Sequence, residues 1–370
     1  MSGPSPICAV RETTLERGVP ALILENDLIS ATILPGKGAD IASFVSKPDG
    51  VDVLWKSPWG LLPPGGVHSA ADSATAWMDA YEGGWQEIFP NGGNANTYRG
   101  VELNFHGEAS LAAWDYEITQ KGGDAAELRL STRLRRSPFR IERAMRVEAG
   151  KPVLFIHERI TNQGREELEA MWGHHPAFGA PFLSAACRID TNARTVHADE
   201  VITSPLNPLA PGSRFAWPHG ERDGVPTDLA RVAGPDDPPH ETMAYLTDFE
   251  GEQGWYGITN TDLGLGVGLV WPKAVFPFAW FWQEMHASSG APWYGEVYVM
   301  AIEPFSSMPG HGLSAVIEKT GTQLVIPAGA SIEVDFAAVL YHAKTGIEGI
   351  SPDGTVTGDG RSRESSPVTP

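Results

Sequence analysis

The sequence predicts an all-β protein of mostly antiparallel strands, and three observations carry that prediction. Apolar and polar residues alternate with a period of two in several segments, as in Phe139-Arg-Ile-Glu-Arg-Ala-Met-Arg-Val147, the pattern of a strand with one buried and one solvated face. Gly (41) and Pro (30) make up almost a fifth of the 370 residues without a fixed period, which suits many turns between short strands. No segment shows the longer period of an extended amphipathic helix.

In chain order, residues 1–10 are expected to form a loose terminus and residues 11–345 a single β domain. Ala21 to Pro35 reads as two apolar runs around Glu25-Asn26-Asp27, a hairpin signal, and the segment from Gly36 to Ser46 continues as a turn and a further strand. Leu128–Leu134, Phe139–Val147 and Val153–Ile160 alternate cleanly. Gly264–Trp271, Glu296–Ile302 and Ile332–Tyr341 repeat the strand signal late in the chain. Between them, residues 204–240 are crowded with Pro, Gly and Asp and predict a long excursion, either a rim over a site or a surface insertion. Residues 346–370 carry few apolar side chains and predict a disordered tail.

The 27 Lys+Arg against 46 Asp+Glu give a net charge of −19, which disfavours nucleic acid and anionic membrane as partners. The chain has neither a basic leader followed by an apolar stretch nor an apolar run approaching the roughly 20 residues that span a bilayer. With only Cys8 and Cys187, no disulfide framework or CxxC metal site is available, so a cytoplasmic location is expected. No feature specifies an oligomeric state.

Three short segments place ionisable groups beside Gly, Pro and aromatics: Asn104-Phe-His-Gly-Glu-Ala-Ser110, Met171-Trp-Gly-His-His-Pro-Ala-Phe178 and Ala301-Ile-Glu-Pro-Phe305. A His before Gly, or a His pair before Pro, is expected where a strand gives way to a loop, and strand ends carry sites. Glu303 closes the apolar run Val297–Ile302, which predicts a carboxylate at the edge of a core, where desolvation raises basicity. In Gly83-Gly-Trp-Gln-Glu-Ile-Phe-Pro-Asn91, Trp85 offers an indole to stack on a sugar ring, and Gln86 and Asn91 offer amides for hydroxyls. Arg99 and Asp248 are further candidates for hydroxyl contact, and Trp282, within Trp280–Glu284, for an aromatic wall. Each of these also has a plain structural reading as packing or surface.

The combination of the three segments resembles the aldose 1-epimerase (galactose mutarotase-like) superfamily. His106-Gly with a following Trp114 is similar to the family's first His segment, Gly173-His-His-Pro-Ala-Phe178 to its second, and Met300-Ala-Ile-Glu-Pro304 to its third, in that order across residues 20–340. The resemblance implies a β-supersandwich and ring opening of an aldose by acid–base catalysis without metal or other cofactor. It implies Glu303 as the base at the C1 hydroxyl, His175 as the acid at the ring oxygen, and His106 holding that oxygen or sharing the proton. His174, beside the acid, becomes a candidate for substrate contact.

Two positions depart from the family pattern. Where the hexose 6-phosphate subgroup has Arg in its first motif, this chain has Ser110, with Glu108 added; both changes favour an unphosphorylated sugar. Ala177 stands where the family often has Tyr, which leaves the sugar open. Two other classes use the same residues: a metal-dependent sugar enzyme with a His/His/Glu triad, for which His106-Gly-Glu108 has suitable spacing, and a carbohydrate-binding or regulatory module without turnover.

Overall fold

The computed structural model describes residues 7–65, 72–201 and 204–358. Its architecture is two large antiparallel sheets packed face to face. The larger, of 13 strands, runs in spatial order through 122–123, 8–14, 20–25, 29–34, 40–46, 85–88, 173–179, 298–305, 278–285, 240–247, 195–198 and 214–216, with 51–52 paired to the side of 40–46. The second, of eight strands, runs through 187–191, 253–260, 265–272, 331–342, 153–162, 139–148, 125–133 and 115–120.

Period-two patterning accounts directly for the strands 125–133, 139–148 and 153–162 of the second sheet. Phe139–Glu148 alternates buried and half-buried residues along its whole length, sending Phe139, Ile141, Met145 and Val147 into the main core. There they meet Ile41, Phe44, Trp85, Phe178, Met300 and Ile302 from the large sheet. The central strands of the large sheet do not alternate. Every residue of Gly173–Gly179 and of Tyr298–Phe305 is buried, because a second apolar cluster covers the sheet's other face. That cluster contains Ile88, Ala177, Tyr245, Trp280 and Phe305 from the strands, and Trp77, Tyr81 and Trp293 from the segments above them. A strand buried on both faces loses the polar stripe that would mark its ends and its parity.

Several boundaries differ from the sequence expectation. Residues 1–6 of the expected loose terminus lie outside the described residues, but Cys8–Thr14 is a strand pairing with Pro20–Glu25, anchored by the buried Cys8 and Val10. At the other end, Ile347–Ile350 and Val356–Gly358 form a hairpin whose Ile347, Ile350 and Val356 pack against Val339 and Tyr341; residues 359–370 lie outside the description. The excursion at 204–240 is held down by Leu209, Leu229 and Val232 in the main core. It contains the hairpin His219–Arg222/Val225–Asp228, turned by Asp223 and Gly224 at φ 52° and 78°, the conformation that favours Asp-Gly in a two-residue turn.

Glu303 and the two adjacent histidines, expected at strand ends, instead sit inside strands. Among the described residues the two α-helices are each seven residues long: Ser73–Asp79, capped by the Asp72 carboxylate on the Thr75 N–H, and Leu313–Lys319. Among the described residues no helix is long and apolar enough to cross a membrane. Cys8 and Cys187 are both free and buried.

Candidate active site

Strand register builds the site. On neighbouring antiparallel strands, residues directly opposite one another point to the same face of the sheet. Gln86 is opposite His175. Between 173–179 and 298–305, Gly173 faces Phe305 and Ala177 faces Ala301, a register that sets His175 against Glu303. Glu303 in turn faces Trp280, and Trp280 faces Tyr245. Five adjacent strands thus contribute one row, Gln86–His175–Glu303–Trp280–Tyr245, on the face turned away from the second sheet.

His106 reaches this row from a turn rather than a strand. It follows Val101–Leu103 at φ 55°, and Gly107 continues at φ 73°. A Cβ on Gly107 would come within 2.3 Å of the Phe89 carbonyl, so only glycine allows the turn to press against the sheet. The Gly93 N–H donates to Nδ1 of His106 at 3.1 Å. The neutral ring therefore carries its proton on Nε2, as a donor. The His106 and His175 rings are 5.8 Å apart between centroids.

Nε2 of His175 lies 3.7 Å from Oε1 of Glu303, and both side chains are almost wholly buried. Burial pushes the His175 imidazole down to about 4 and the Glu303 carboxyl well above the usual carboxylate range, since a low dielectric disfavours either charge. Burial, with His175 adding to it, also holds His106 well below an ordinary histidine. A proton shared by the His175–Glu303 pair is therefore favoured on the carboxyl over the imidazole. Transfer of that proton to His175 would create carboxylate and imidazolium side by side. Oε2 of Glu303 is buried and has no hydrogen-bond partner in the protein, so it is available to a ligand hydroxyl.

Aromatic rings enclose the pair. Trp77 lies 4.7 Å from the His106 ring and 6.0 Å from that of His175, while Trp282 lies 5.7 Å from His175. Tyr81 places its hydroxyl 3.5 Å from Nδ1 of His175, and Trp293 packs against Trp282 and Tyr81. Trp77 is fixed by its indole N–H, which donates to Ser110 Oγ at 3.0 Å. Ser110 is thus a bracket for the Trp77 wall. Trp77 and Tyr81 come from the short helix Ser73–Asp79 and the turn after it, a segment too brief to leave a periodic signal; the Asp72 cap before Ser73-Ala-Thr-Ala is the one cue available.

Of the sequence-predicted contacts, Gln86 and Trp282 stand beside the trio. Trp85 and His174 require correction: one residue out of step with Gln86 and His175, they point between the sheets. The Trp85 indole donates to Nδ1 of His174 at 3.0 Å, and Nε2 of His174 meets Glu158 at 3.0 Å. Asn91 is a structural brace, donating to the Asn94 and Asn104 carbonyls and accepting from the Leu313 N–H. Arg99, at φ 47° in the turn between Asn96–Tyr98 and Val101–Leu103, pairs with Glu166 and Glu169. Asp248 follows its strand at φ 56° and pairs with Arg214 on the surface. Neither makes a described contact with the trio.

The His/His/Glu metal triad considered from sequence is not assembled. Among the described residues, the group whose ligand atoms converge within 4.8 Å is Glu87, Glu158 and His174, on the opposite side of the sheet. Its centre is served by Arg143, whose guanidinium donates to both carboxylates and neutralises the site a cation would occupy. Glu108 spends its carboxylate on the Arg135 and Arg136 N–H groups.

Residues 16–339 match the family described as "Domain of unknown function (DUF4432)". No curated protein matches the sequence. Among solved structures, a protein of Klebsiella pneumoniae subsp. pneumoniae MGH 78578, described as a "putative aldose 1-epimerase", is similar with a TM-score of 0.70 at 16% identity, over 90% of this chain and 84% of that one. A galactose mutarotase-like protein from Clostridium acetobutylicum gives 0.64 at 15% identity, over 90% and 99%. Another, from Lactobacillus casei ATCC 334, gives 0.56 at 17%, over 86% and 99%. The fold is the galactose mutarotase-like β-sandwich that these structures share.

Proposed function

The chain belongs to the DUF4432 family, and on that premise we propose that it is an aldose 1-epimerase acting on an unphosphorylated sugar through Glu303, His175 and His106. The observation that carries this reading is the 3.7 Å approach of His175 to Glu303 in a buried, aromatic-walled site where a proton shared by the two groups is favoured on the carboxyl.

That proton inventory is what anomer exchange requires. With a closed aldose bound, hydroxyl donors at the unpartnered Oε2 favour the Glu303 carboxylate and so move the proton to His175. Glu303 then takes the proton of the C1 hydroxyl, and the electrons of that O–H bond form the second bond of the carbonyl. The C1–ring-oxygen bond breaks, and the ring oxygen takes the proton of His175. The pair is left with the proton on Glu303, its resting distribution, so the open-chain intermediate is matched by the protein's own preferred state. Rotation about C1–C2 and the reverse transfers close the ring on the other face. His106, neutral and donating from Nε2, steadies an oxygen without competing for the proton. No step needs a further cofactor.

The choice of a neutral sugar is supported by the absence of a cation at Ser110, which holds Trp77, and by a net charge of −19. Trp77 and Trp282 supply rings suited to the C–H faces of a pyranose. Two buried free cysteines suit a reducing, cytoplasmic setting. The test is polarimetry on freshly dissolved α-D-glucose, α-D-galactose and other aldoses. Acceleration over buffer is expected for at least one, and relaxation at the buffer rate for all of them would refute turnover and leave a carbohydrate-binding role.

A further inference from the structure

Beside the row that carries the acid–base pair lies a second polar cluster with no role in the proton transfers. Ile41 pairs with Trp85 on the core side of the large sheet, so Asp40 and Gln86 share the outer face with His175. Gln86 Nε2 donates to the Gly83 carbonyl at 2.6 Å and lies 3.3 Å from Asp40 Oδ2. Lys37 Nζ closes onto Asp40 and, at 2.8 Å, onto Glu82 Oε2. Asp40 and Gln86 are fully buried and Glu82 is 6% exposed.

Three oxygens of this cluster, Asp40 Oδ1, Glu82 Oε1 and Gln86 Oε1, are buried without a hydrogen-bond partner in the protein. Burial pushes the Asp40 carboxyl well above the usual carboxylate range and Glu82 acts on it directly, so these two can share a proton; an oxygen left unpaired costs on the order of 1–3 kcal/mol, and a ligand that donates to this cluster removes that cost. The cluster adjoins the acid–base pair: Lys37 acts on the His175 imidazole, and the Tyr81 phenol feels Glu303, Glu82 and Asp40 together. The Lys37–Glu82 end of the cluster is also within reach of solvent. Lys37 and Glu82 line a cavity of about 440 Å³, with Leu34, Leu61, Ala76 and Ala80 around them.

We propose that Asp40, Glu82 and Gln86, bridged by Lys37, form the hydroxyl-reading subsite that selects which neutral sugar enters, taking two or three hydroxyl donors of a ring whose anomeric end lies at His175 and Glu303. The chemistry favours a polyol over an anion. A hydroxyl can serve both the acceptor oxygens and the Asp40 carboxyl, which burial, with Glu82 beside it, pushes well above the usual carboxylate range, and Lys37 is already engaged by two carboxyls. The inference rests on the sugar reading above, but it concerns recognition rather than turnover.

The test uses ligands that cannot be turned over: methyl pyranosides of glucose, galactose and mannose with their monodeoxy analogues, bound to the full chain and followed by ligand-observed NMR. In the wild type, loss of one particular hydroxyl is expected to weaken binding by about 10-fold or more, as for a hydrogen bond to a charged group. In Glu82→Gln or Gln86→Met the same deletion is expected to cost about 2-fold or less. Equal deletion ratios in the wild type and both variants, or no glycoside binding at all, overturn the proposal. Acceleration of mutarotation with equal ratios would remove the subsite and leave the isomerase reading. Altered ratios without acceleration would do the reverse.

Discussion

His175 and Glu303 stand opposite each other on adjacent antiparallel strands, with Nε2 3.7 Å from Oε1, in a site that disfavours charge on both. Two groups that individually resist ionisation become useful together, because a proton passed between them changes no net charge and disturbs little of the surroundings.

Glu303→Gln and His175→Asn are each expected to lower the mutarotation rate by about 10²–10⁴-fold, the usual contribution of a positioned acid or base. Polarimetry gives the rate, and circular dichroism checks that the sheets remain.

The pH profile should be broad. Activity requires one proton on the pair, so the acid limb is expected near pH 4, where His175 takes a second proton. The alkaline limb should follow loss of the proton from Glu303, far above 4.5. NMR exchange measurements across pH would check this; an acid limb at 6.5 would show that His175 is not held neutral by burial.

Stability carries the matching sign. A carboxyl raised in the folded state contributes stability below its unfolded value, and that contribution fades as pH rises toward its folded value. Glu303→Gln is isosteric and uncharged, so its stability relative to the wild type is expected to improve as pH rises. Denaturant unfolding at pH 5 and pH 8 measures the difference.

Gly93→Ala should damage His106 from a distance. Gly93 is at φ 72°, and a Cβ there would fall 1.7 Å from the Gly310 carbonyl. The chain must shift, which withdraws the N–H that sets the His106 tautomer. A loss of about 2 kcal/mol or more in stability is expected, with a fall in kcat beyond what unfolding explains.

Arg143→Met leaves Glu87 and Glu158 buried together without their shared cation. Destabilisation of about 3–5 kcal/mol is expected. Arg143 lies on the far side of the sheet from the trio, so whatever folds should retain turnover; thermal unfolding and polarimetry separate the two.

Strands 125–133, 139–148 and 153–162 of the second sheet are legible because one of their faces meets solvent. Phe139–Glu148 and its neighbours alternate for that reason, and their bounds fall within a few residues of those read from the pattern. The segments at Cys8–Thr14 and after Ile347 were harder: a few buried side chains on each suffice to order them, too few to stand out in composition.

At the site, the linear order of His106, His175 and Glu303 marks them as one constellation, and the Gly after His106 marks a turn. Which of two adjacent histidines stands beside Glu303 is another matter. His174 and His175 occupy a strand buried on both sides, so no polar stripe distinguishes its faces. Register against Gln86 and Glu303 alone turns His175 outward and sends His174 toward Glu158. The same parity separates Gln86 from Trp85. The Trp77 and Tyr81 walls, and the union of Lys37, Asp40 and Glu82, likewise arise from contacts between segments distant in sequence, which only the folded chain brings together.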